Sequence, residues 1–330
     1  MRHLAVLVSS VGRRSQLISC FRESLDRLGI AGRVIGIDAS RNAPARFLVD
    51  QFHQVPRCTE GGFIGAVHNI CIREDVRVVV PTIDTELMVY ARSAAAFAAA
   101  GVILAVSAPE TVAIAADKVK TNQWLRENGF PTVRQASPED VLRDNNWKFP
   151  VILKPRGGSA SVGVHGVASR QLLEALAAEG RDLIVEEKAE GREFTINAYV
   201  NREGRCLCAV PHLRVEVRAG EVSKGITVRD PELIELGTRI ANRLPGAFGA
   251  LNIQAFADQN RPIHVSEINA RFGGGYPLAH RAGAEMSTWL LEEALGLPLT
   301  ASADNWEAGM TMLRYDDAVF LSAAETAAVL

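Results

Sequence analysis

The sequence has 330 residues and a formal net charge of −2, and 22% of its residues are charged. This length is enough for two or three domains with a large buried core. The near-neutral charge argues against a nucleic-acid surface, which would carry a basic stripe, and no apolar run approaches the roughly 20 residues of a membrane span.

The N-terminus and the cysteines indicate the cellular compartment. The first apolar run is short and is typical of a buried strand, not of an export signal. The five cysteines are scattered and lack the spacing of a zinc site or a disulfide framework. We therefore expect a cytoplasmic protein with no nucleic-acid or membrane partner.

Residues 1–107 alternate short apolar runs with helical patterns. The runs that predict strands are 4–8, 33–37, 76–80 and 102–106. This alternation predicts a doubly wound parallel α/β sheet, and ligands of such sheets bind at the carboxyl ends of the strands. Two polar loops, at 9–14 and 81–86, follow predicted strands and so lie at that edge.

The loop at 9–14 does not match a dinucleotide fingerprint, because Gly12 is its only glycine. Arg13 and Arg14 lie where a helix begins, so they either hold an anion or are two solvated arginines. The residues alone leave these alternatives open.

From residue 117 the pattern changes to longer strands with fewer helices. A helix at 117–128 ends at Gly129, with Pro131 beyond it. The further predicted elements are strands at 151–155, 163–167, 183–187, 193–200, 205–217, 221–228 and 310–314, and helices at 170–178 and 231–243. Such an order predicts an α+β arrangement with antiparallel sheets.

A hairpin at 250–271 has the most informative spacing in the chain. Both arms alternate apolar and polar residues, and turn residues lie between Asp258 and Ile263. If those two residues close the hairpin, the register places opposite each other Gln254 with Glu267, and Asn252 with Asn269. Opposed side chains lie about 5 Å apart on one face. A carboxylate among amides suits a hard cation such as Mg²⁺, which takes further oxygens from water and phosphates.

Residues 151–164 form a strand with Lys154, a loop of small residues and a second strand. Backbone N–H groups in such a loop can approach phosphate oxygens, and the loop can close as a flap. The small loop residues are Gly157, Gly158, Ser159 and Ser161. The lysine precedes the glycines, which differs from a Walker loop. Taken alone, the segment also fits an ordinary flexible hairpin.

Paired carboxylates follow the apolar strand at 183–187. Glu186 could accept from an adenine amino group while the backbone of Glu187 and Ala189 pairs with the ring edge, and Glu193 could accept from ribose hydroxyls. From composition alone, a charged and solvated connection between two strands is the favoured interpretation.

In combination and order, these motifs resemble the ATP-grasp superfamily over residues 117–283. The pattern Asn252-Ile-Gln254 with Glu267-Ile-Asn269-Ala-Arg271 is similar to that of the large subunit of carbamoyl phosphate synthetase. D-alanine–D-alanine ligases tend to have an aspartate in the place of Gln254. The following Phe-Gly-Gly-Gly-Tyr-Pro segment resembles that of stand-alone ATP-grasp carboxylate–amine ligases.

The resemblance implies a two-lobed ATP-grasp fold after an N-terminal α/β domain. The implied domains are 1–107, a lid lobe with the glycine loop at 108–185, and a C-terminal lobe with the metal hairpin at 186–330.

The resemblance also implies a role for each matching residue. Lys118 and Lys154 would hold ATP phosphates, with Lys154 on the mobile lid. The remaining nucleotide contacts would come from Gly157, Gly158, Ser159, Ser161, Glu186, Glu187, Ala189 and Glu193. The metal ligands would be Gln254, Glu267 and Asn269, for Mg²⁺ or alternatively Mn²⁺. Arg271 would stabilise the transferring phosphoryl group, and Lys224 either contacts the γ-phosphate or is an exposed strand lysine.

The implied reaction joins a small-molecule carboxylate to an amine through an acyl phosphate, with release of ADP and phosphate. The candidate substrate contacts are Arg13, Arg14, Asp84, Glu86, Arg214, Gly274, Tyr276 and Arg281. Two alternatives remain: a phosphotransferase or carbamoyl-phosphate-like enzyme, and a non-catalytic ATP-binding regulatory protein. A homodimer is suggested by family analogy only.

Overall fold

The computed structural model describes residues 3–158, 162–180, 182–258 and 261–329. The predicted loop contacts Ser159 and Ser161 lie outside the described residues. Within the described part of the chain, no helix is both long and apolar enough to cross a membrane.

A five-stranded parallel sheet forms the N-terminal part, in the order β3-β2-β1-β4-β5. Its strands are β1 (His3–Val8), β2 (Ala31–Asp38), β3 (Gln51–Gln54), β4 (Val76–Val80) and β5 (Ile103–Leu104). Its helices are α1 (Ser15–Arg27), α2 (Phe63–Arg73) and α3 (Asp84–Ala99), with a 3₁₀ turn at Pro44–Leu48. The predicted doubly wound sheet is confirmed. The sequence did not predict β3, because this edge strand is only partly buried and has no apolar run.

Two short helices lead into a small antiparallel sheet with the order β6-β9-β7-β8. The helices are α4 (Pro109–Ala115) and α5 (Lys118–Glu127). The sheet and its own helices are β6 (Gln135–Ala136), α6 (Pro138–Arg143), β7 (Val151–Pro155), β8 (His165–Val167), α7 (Arg170–Glu179) and β9 (Leu183–Glu187). Helix α5 begins where predicted, because the Asp117 side chain accepts hydrogen bonds from the N–H groups of Val119 and Lys120.

A six-stranded antiparallel sheet forms the rest, in the order β14-β13-β10-β11-β12-β15. Its strands are β10 (Arg192–Val200), β11 (Cys206–Arg218), β12 (Glu221–Thr227), β13 (Gly249–Asp258), β14 (Arg261–Asn269) and β15 (Thr311–Leu313). The helices of this part are α8 (Pro231–Arg243), α9 (Tyr276–Arg281), α10 (Met286–Leu295) and α11 (Ala323–Val329). The α+β arrangement is therefore confirmed.

The small sheet has a core of its own. Its buried apolar residues are Val141, Trp147, Val151, Leu153, Val167, Leu173 and Val185. The parallel sheet and the six-stranded sheet, in contrast, contribute jointly to two continuous buried clusters. The small sheet is thus packed as a separate lobe, while the two larger sheets form one body. Two connections of the chain join them, one from α5 to β6 and one from β9 to β10, and the predicted domain limit at 185/186 falls inside β9.

The central register of the β13–β14 hairpin is as predicted. Gln254 pairs with Glu267, and Asn252 pairs with Asn269. The predicted closing pair was wrong, because Asp258 pairs with Arg261 instead of Ile263. Two register irregularities between residue 254 and the turn move the pairing, as β-bulges do.

Candidate active site

A cleft of about 300 Å³ lies between the small sheet and the six-stranded sheet. It is lined by most of the residues that the sequence assigns to a nucleotide or its metal: Lys118, Lys154, Gly157, Gly158, Glu186, Glu187, Ala189, Glu193, Gln254 and Glu267. They come from five separate segments of the chain. The fold therefore brings motifs more than 100 residues apart to the walls of a single cleft.

Lys154 and Glu186 form a buried ion pair on the small-lobe wall. Their Nζ and Oε2 atoms are 2.7 Å apart, and the two residues are 8% and 5% exposed. The other carboxylate oxygen of Glu186 accepts from Gln135 Nε2 at 2.9 Å. Glu186 thus lines the cleft with both oxygens already engaged, so an adenine amino group would have to share them. Lys154 lies in β7, at the base of the glycine loop, not on the loop itself.

Lys118 links the first turn of α5 to the glycine loop. Its Nζ donates to the Gly158 carbonyl at 2.8 Å, and its backbone N–H donates to the Arg156 carbonyl. Burial lowers the pKa of Lys118, and this shift is opposed by the nearby Glu267 carboxylate. The loop is therefore tied directly to one of the two predicted phosphate-binding lysines.

The opposite wall carries a line of polar side chains across four strands. With the Gln254 amide nitrogen donating to Glu267 Oε2 at 3.3 Å, its oxygen accepts from Arg214 Nη1 at 3.1 Å. Arg214 Nε also lies 3.3 Å from Glu193 Oε1. Burial raises the pKa of Glu193, and Arg214 opposes that shift. Arg214, predicted only as a substrate contact, thus lies among the residues assigned to ribose and metal.

Glu267 faces the two lysines across the cleft. Burial raises its pKa, while the positive charges of Lys118 and Lys154 oppose the shift. Among the described residues, no cluster of three or more His, Cys, Asp or Glu side chains could hold a metal. The donor set of one carboxylate with amide oxygens fits a cation that takes most of its oxygens from a bound phosphate group and water.

Asn269 and Arg271 extend the polar line toward the parallel sheet. Arg271 donates to Asn269 Oδ1 at 3.2 Å and holds both carboxylate oxygens of Asp84, at 2.9 and 2.7 Å. Asp84 is the first residue of α3, at the carboxyl edge of the parallel sheet. The predicted catalytic arginine is therefore held by the N-terminal domain.

Apolar residues of the cleft were not identified from the sequence. Val133, Ile152, Val164 and Phe256 line it. Ile152 and Lys154 occur at alternate positions of β7 and so point to the same face. The alternation in β7 could have indicated that Ile152 lies on the same face as Lys154. It could not show that this face lines a cleft, because a strand that is buried in the core can have the same pattern.

Several predicted contacts lie elsewhere. Lys224 is exposed and pairs with Glu216 Oε2 at 2.7 Å, outside the residues that line the cleft. Glu86 is fully buried, and its carboxylate accepts four hydrogen bonds from Ser9, Ser10 and the backbone at 82 and 83.

Two further predicted substrate contacts bond to other side chains of the protein, Tyr276 in the core and Arg281 at the surface. Tyr276 is 1% exposed, and its hydroxyl bonds to Ser287 and His280. Arg281 pairs with Glu23 on α1 at 2.5 Å. Arg13 is exposed beside α1. Neither Glu86 nor Tyr276 presents a free polar group to a cleft, since both position backbone segments from within the core.

The fold and the site define a class: a parallel α/β domain followed by two antiparallel lobes that enclose a cleft with two lysines. Residues 6–105 match the family described as PylC-like, N-terminal domain, and residues 179–318 match the family described as ATP-grasp in the biosynthetic pathway with Ter operon. Residues 179–318 thus match an ATP-grasp family, in agreement with the resemblance of the motifs at 117–283.

Sequence comparison places a curated D-alanine–D-alanine ligase of Pseudomonas putida among the relatives of this chain. The two are 29% identical over 182 residues, which is 49% of this chain and 56% of the ligase. The chain thus spans about half the length of the curated relatives that it matches first.

Solved structures share the fold. A biotin carboxylase from Campylobacter jejuni, in complex with a β,γ-ATP ligand, has a TM-score of 0.71 at 15% identity, covering 92% of this chain and 73% of that one. The biotin carboxylase domain of 2-oxoglutarate carboxylase from Hydrogenobacter thermophilus, in complex with MgADP, has a TM-score of 0.70 at 18% identity, covering 93% and 73%.

Proposed function

We propose that the protein is an ATP-dependent carboxylate–amine ligase that forms an amide through an acyl phosphate and releases ADP and phosphate. The observation that carries the proposal is the composition of the cleft. Two lysines and a glycine loop on one wall face a carboxylate–amide pair on the other. The partners would be a small-molecule carboxylate and an amine.

The lining of the cleft suits both ends of a nucleoside triphosphate. The apolar side chains of Ile152, Val133 and Phe256 offer a surface for a base. Lys118 and Lys154 supply positive charge where phosphates would lie, and Gly157 and Gly158 let backbone N–H groups approach them. Glu193 and Arg214 lie on two neighbouring strands of the facing wall, where ribose hydroxyls would meet a carboxylate.

Glu267, Gln254 and Asn269 would hold Mg²⁺ together with phosphate oxygens. The ion would neutralise charge on the phosphates and align the transferring group. Because Gln254 is neutral, the site brings only one carboxylate, and we expect weak metal affinity without nucleotide. Replacement of Mg²⁺ by Mn²⁺ in the assay tests whether Mn²⁺ also supports ADP release.

Arg271 is suited to stabilise negative charge at the reacting end of the cleft. Its guanidinium is oriented by both oxygens of Asp84, so little reorganisation is needed when charge develops. The chain would also position the two substrates for reaction. The glycine loop next to Lys118 would exclude water, which would otherwise hydrolyse an acyl phosphate.

The test is a screen of carboxylates and amines by ADP release, with the mass of each product measured. Trapping with hydroxylamine reports an acyl phosphate and separates a ligase from a phosphotransferase. Glu267→Ala and Lys154→Ala are expected to abolish ADP release. Lys120→Ala, an exposed lysine on α5, is the matched control and should keep normal turnover. Near-normal turnover in either cleft variant would overturn the assignment.

A further inference from the structure

Four arginines lie in the candidate active site or next to it, and Arg214 differs from the others in its hydrogen bonds. The other three donate to carboxylates: Arg271 to Asp84, and Arg14 and Arg314 to Glu221. Arg14 and Arg314 also donate to backbone carbonyls, those of Thr82 and Gly274. Arg214 instead donates to the neutral amide oxygen of Gln254, at 3.1 Å from Nη1. Its charge is therefore directed at a residue assigned to the metal.

The Arg214 guanidinium is anchored at one nitrogen and has a second partner within reach of another. The side chain is 7% exposed, and Nη2 donates to the Gly220 carbonyl at 3.0 Å. The buried Nε–H forms no hydrogen bond with a described residue, although Glu193 Oε1 lies 3.3 Å from it. A small shift of the guanidinium would thus exchange the contact with Gln254 for a hydrogen bond to Glu193.

The contact with Arg214 sets the orientation of the Gln254 amide. A guanidinium only donates, so it selects the amide oxygen and leaves the amide nitrogen 3.3 Å from Glu267 Oε2. A metal ion at Glu267 needs the opposite orientation, because an amide binds a hard cation through its oxygen. Turning the amide would place its N–H groups against those of Arg214. Arg214 therefore opposes the orientation of Gln254 that binds metal.

Other cations near Glu267 act on a metal ion in a different way. Lys118, Lys154 and Arg271 interact electrostatically with the Glu267 carboxylate. Their positive charges repel a cation through space, and the phosphates of a nucleotide would neutralise that repulsion. The effect of Arg214, in contrast, depends on the amide that lies between it and Glu267.

We propose that Arg214 is a positioning residue that holds Gln254 in the orientation that disfavours a metal ion, so that the ion is retained only together with a nucleotide. When phosphates bring the ion, Gln254 turns its oxygen toward Glu267, and Arg214 moves to Glu193, the residue assigned to ribose. This inference rests on the proposed ATP-dependent function. It adds a residue that links metal binding to nucleotide binding, and it gives Arg214 a role other than the predicted substrate contact.

The test measures the affinity of the full chain for Mn²⁺ without nucleotide, from the electron paramagnetic resonance signal of the free ion. We expect Arg214→Met to bind Mn²⁺ at least about tenfold more tightly than wild type, because the ion no longer has to break a charge-assisted hydrogen bond. A merely structural role predicts weaker binding. Arg218→Met is the matched control: Arg218 ends the same strand and pairs with Asp316 at the surface, so Mn²⁺ affinity should stay at the wild-type value.

A double-mutant cycle separates orientation from charge, since removal of any positive charge favours a cation. Gln254→Leu removes the amide and is measured with and without Arg214→Met. Any effect of Arg214 through space occurs in both backgrounds and cancels. We expect Arg214→Met to tighten Mn²⁺ binding about tenfold more when Gln254 is present than when it is absent. Adding Glu267→Gln to Arg214→Met should abolish the gain, which assigns the ion to this site.

ADP binding, measured by calorimetry with Mn²⁺, reports that each variant is folded. Arg214→Gln repeats the measurement with a polar side chain that can accept a hydrogen bond from the turned Gln254 amide, and the same gain is expected. This second variant keeps the test valid if the apolar replacement unfolds the sheet.

Three outcomes would overturn the proposal: unchanged or weaker Mn²⁺ binding in an Arg214 variant that binds ADP, equal gains with and without Gln254, or a gain that persists after Glu267→Gln. Failure of the proposed function is a different result. In that case wild type does not bind ADP with Mn²⁺, or no acid and amine pair supports ADP release although the metal measurements follow the expectation.

Discussion

The Lys154–Glu186 ion pair supports a quantitative prediction about the small lobe. Both side chains are nearly inaccessible, and their charged atoms are 2.7 Å apart. Lys154→Met leaves the Glu186 carboxylate buried without its cation, which costs about 3–5 kcal/mol of folding free energy. Gln135 keeps one bond to this carboxylate, so we expect the lower end of that range.

The loss should be confined to the small lobe, because that lobe has its own core. Hydrogen exchange followed by mass spectrometry measures this directly over residues 135–187. In Lys154→Met the amides of β7 and β9 should exchange faster, while those of the six-stranded sheet keep wild-type rates. Asp144→Asn removes an exposed ion pair with Arg134 in the same lobe and should change exchange little, since solvent screens that pair.

A double variant separates stability from nucleotide binding. In Lys154→Met with Glu186→Gln no buried charge is left unpaired, so protection should return to near wild type. MgATP binding, measured by calorimetry, should stay lost because the lysine is absent. Recovery of binding in the double variant would refute the phosphate role of Lys154, and equal instability of single and double variants would refute the electrostatic reasoning.

Two further predictions test other parts of the six-stranded sheet. Burial, with a smaller effect of Arg214, lowers the pKa of His212 from 6.5 to about 3. Between these two pH values the imidazole is therefore protonated in the unfolded chain and neutral in the folded protein. Stability from this group is complete above pH 6.5 and is lost as the pH falls toward 3, by about 2 kcal/mol between pH 7.5 and 5.0. Urea unfolding at the two pH values should show this loss in wild type and in the exposed control His165→Gln, but not in His212→Gln. An equal loss of unfolding free energy in His212→Gln would contradict the prediction. Lys224→Ala should keep ADP release within about twofold of wild type, because Lys224 is exposed and pairs with Glu216, and a loss of about 100-fold would show that the lysine reaches phosphate after all.

The parts of the site that alternate regularly along the chain were predictable. Gln254 and Glu267 were placed opposite each other from apolar–polar alternation and an assumed Asp258–Ile263 closing pair, and the structure has the Gln254–Glu267 pair. The end of the hairpin was not predictable, because bulges add residues to one strand without any mark in the hydrophobic pattern. Alternation fixes which face a side chain is on, but it does not fix how many residues reach the turn.

Polar residues near predicted loops were harder to interpret. Glu86 and Tyr276 were candidates for substrate contact, yet both are buried and bonded to the backbone or side chains around them. A polar side chain that satisfies a buried loop and one that binds a ligand look alike in a sequence. The position of Arg214 was missed for a different reason: its partners Glu193 and Gln254 come from other strands that only the fold brings beside it.

Gln254 shows how a single neutral residue affects the whole site. Its amide has a donor end and an acceptor end, so it can lie between the Glu267 carboxylate and the Arg214 guanidinium and satisfy both. An aspartate there could accept from Arg214, but it would face Glu267 with like charge until a cation arrived. With glutamine, the hydrogen bonds to Glu267 and Arg214 are satisfied without a metal. A half turn of the Gln254 amide would present the amide oxygen beside Glu267. The cation would then enter with the phosphates, since the protein supplies too little negative charge to hold it alone. The site would assemble around the nucleotide, with the metal as part of that ligand.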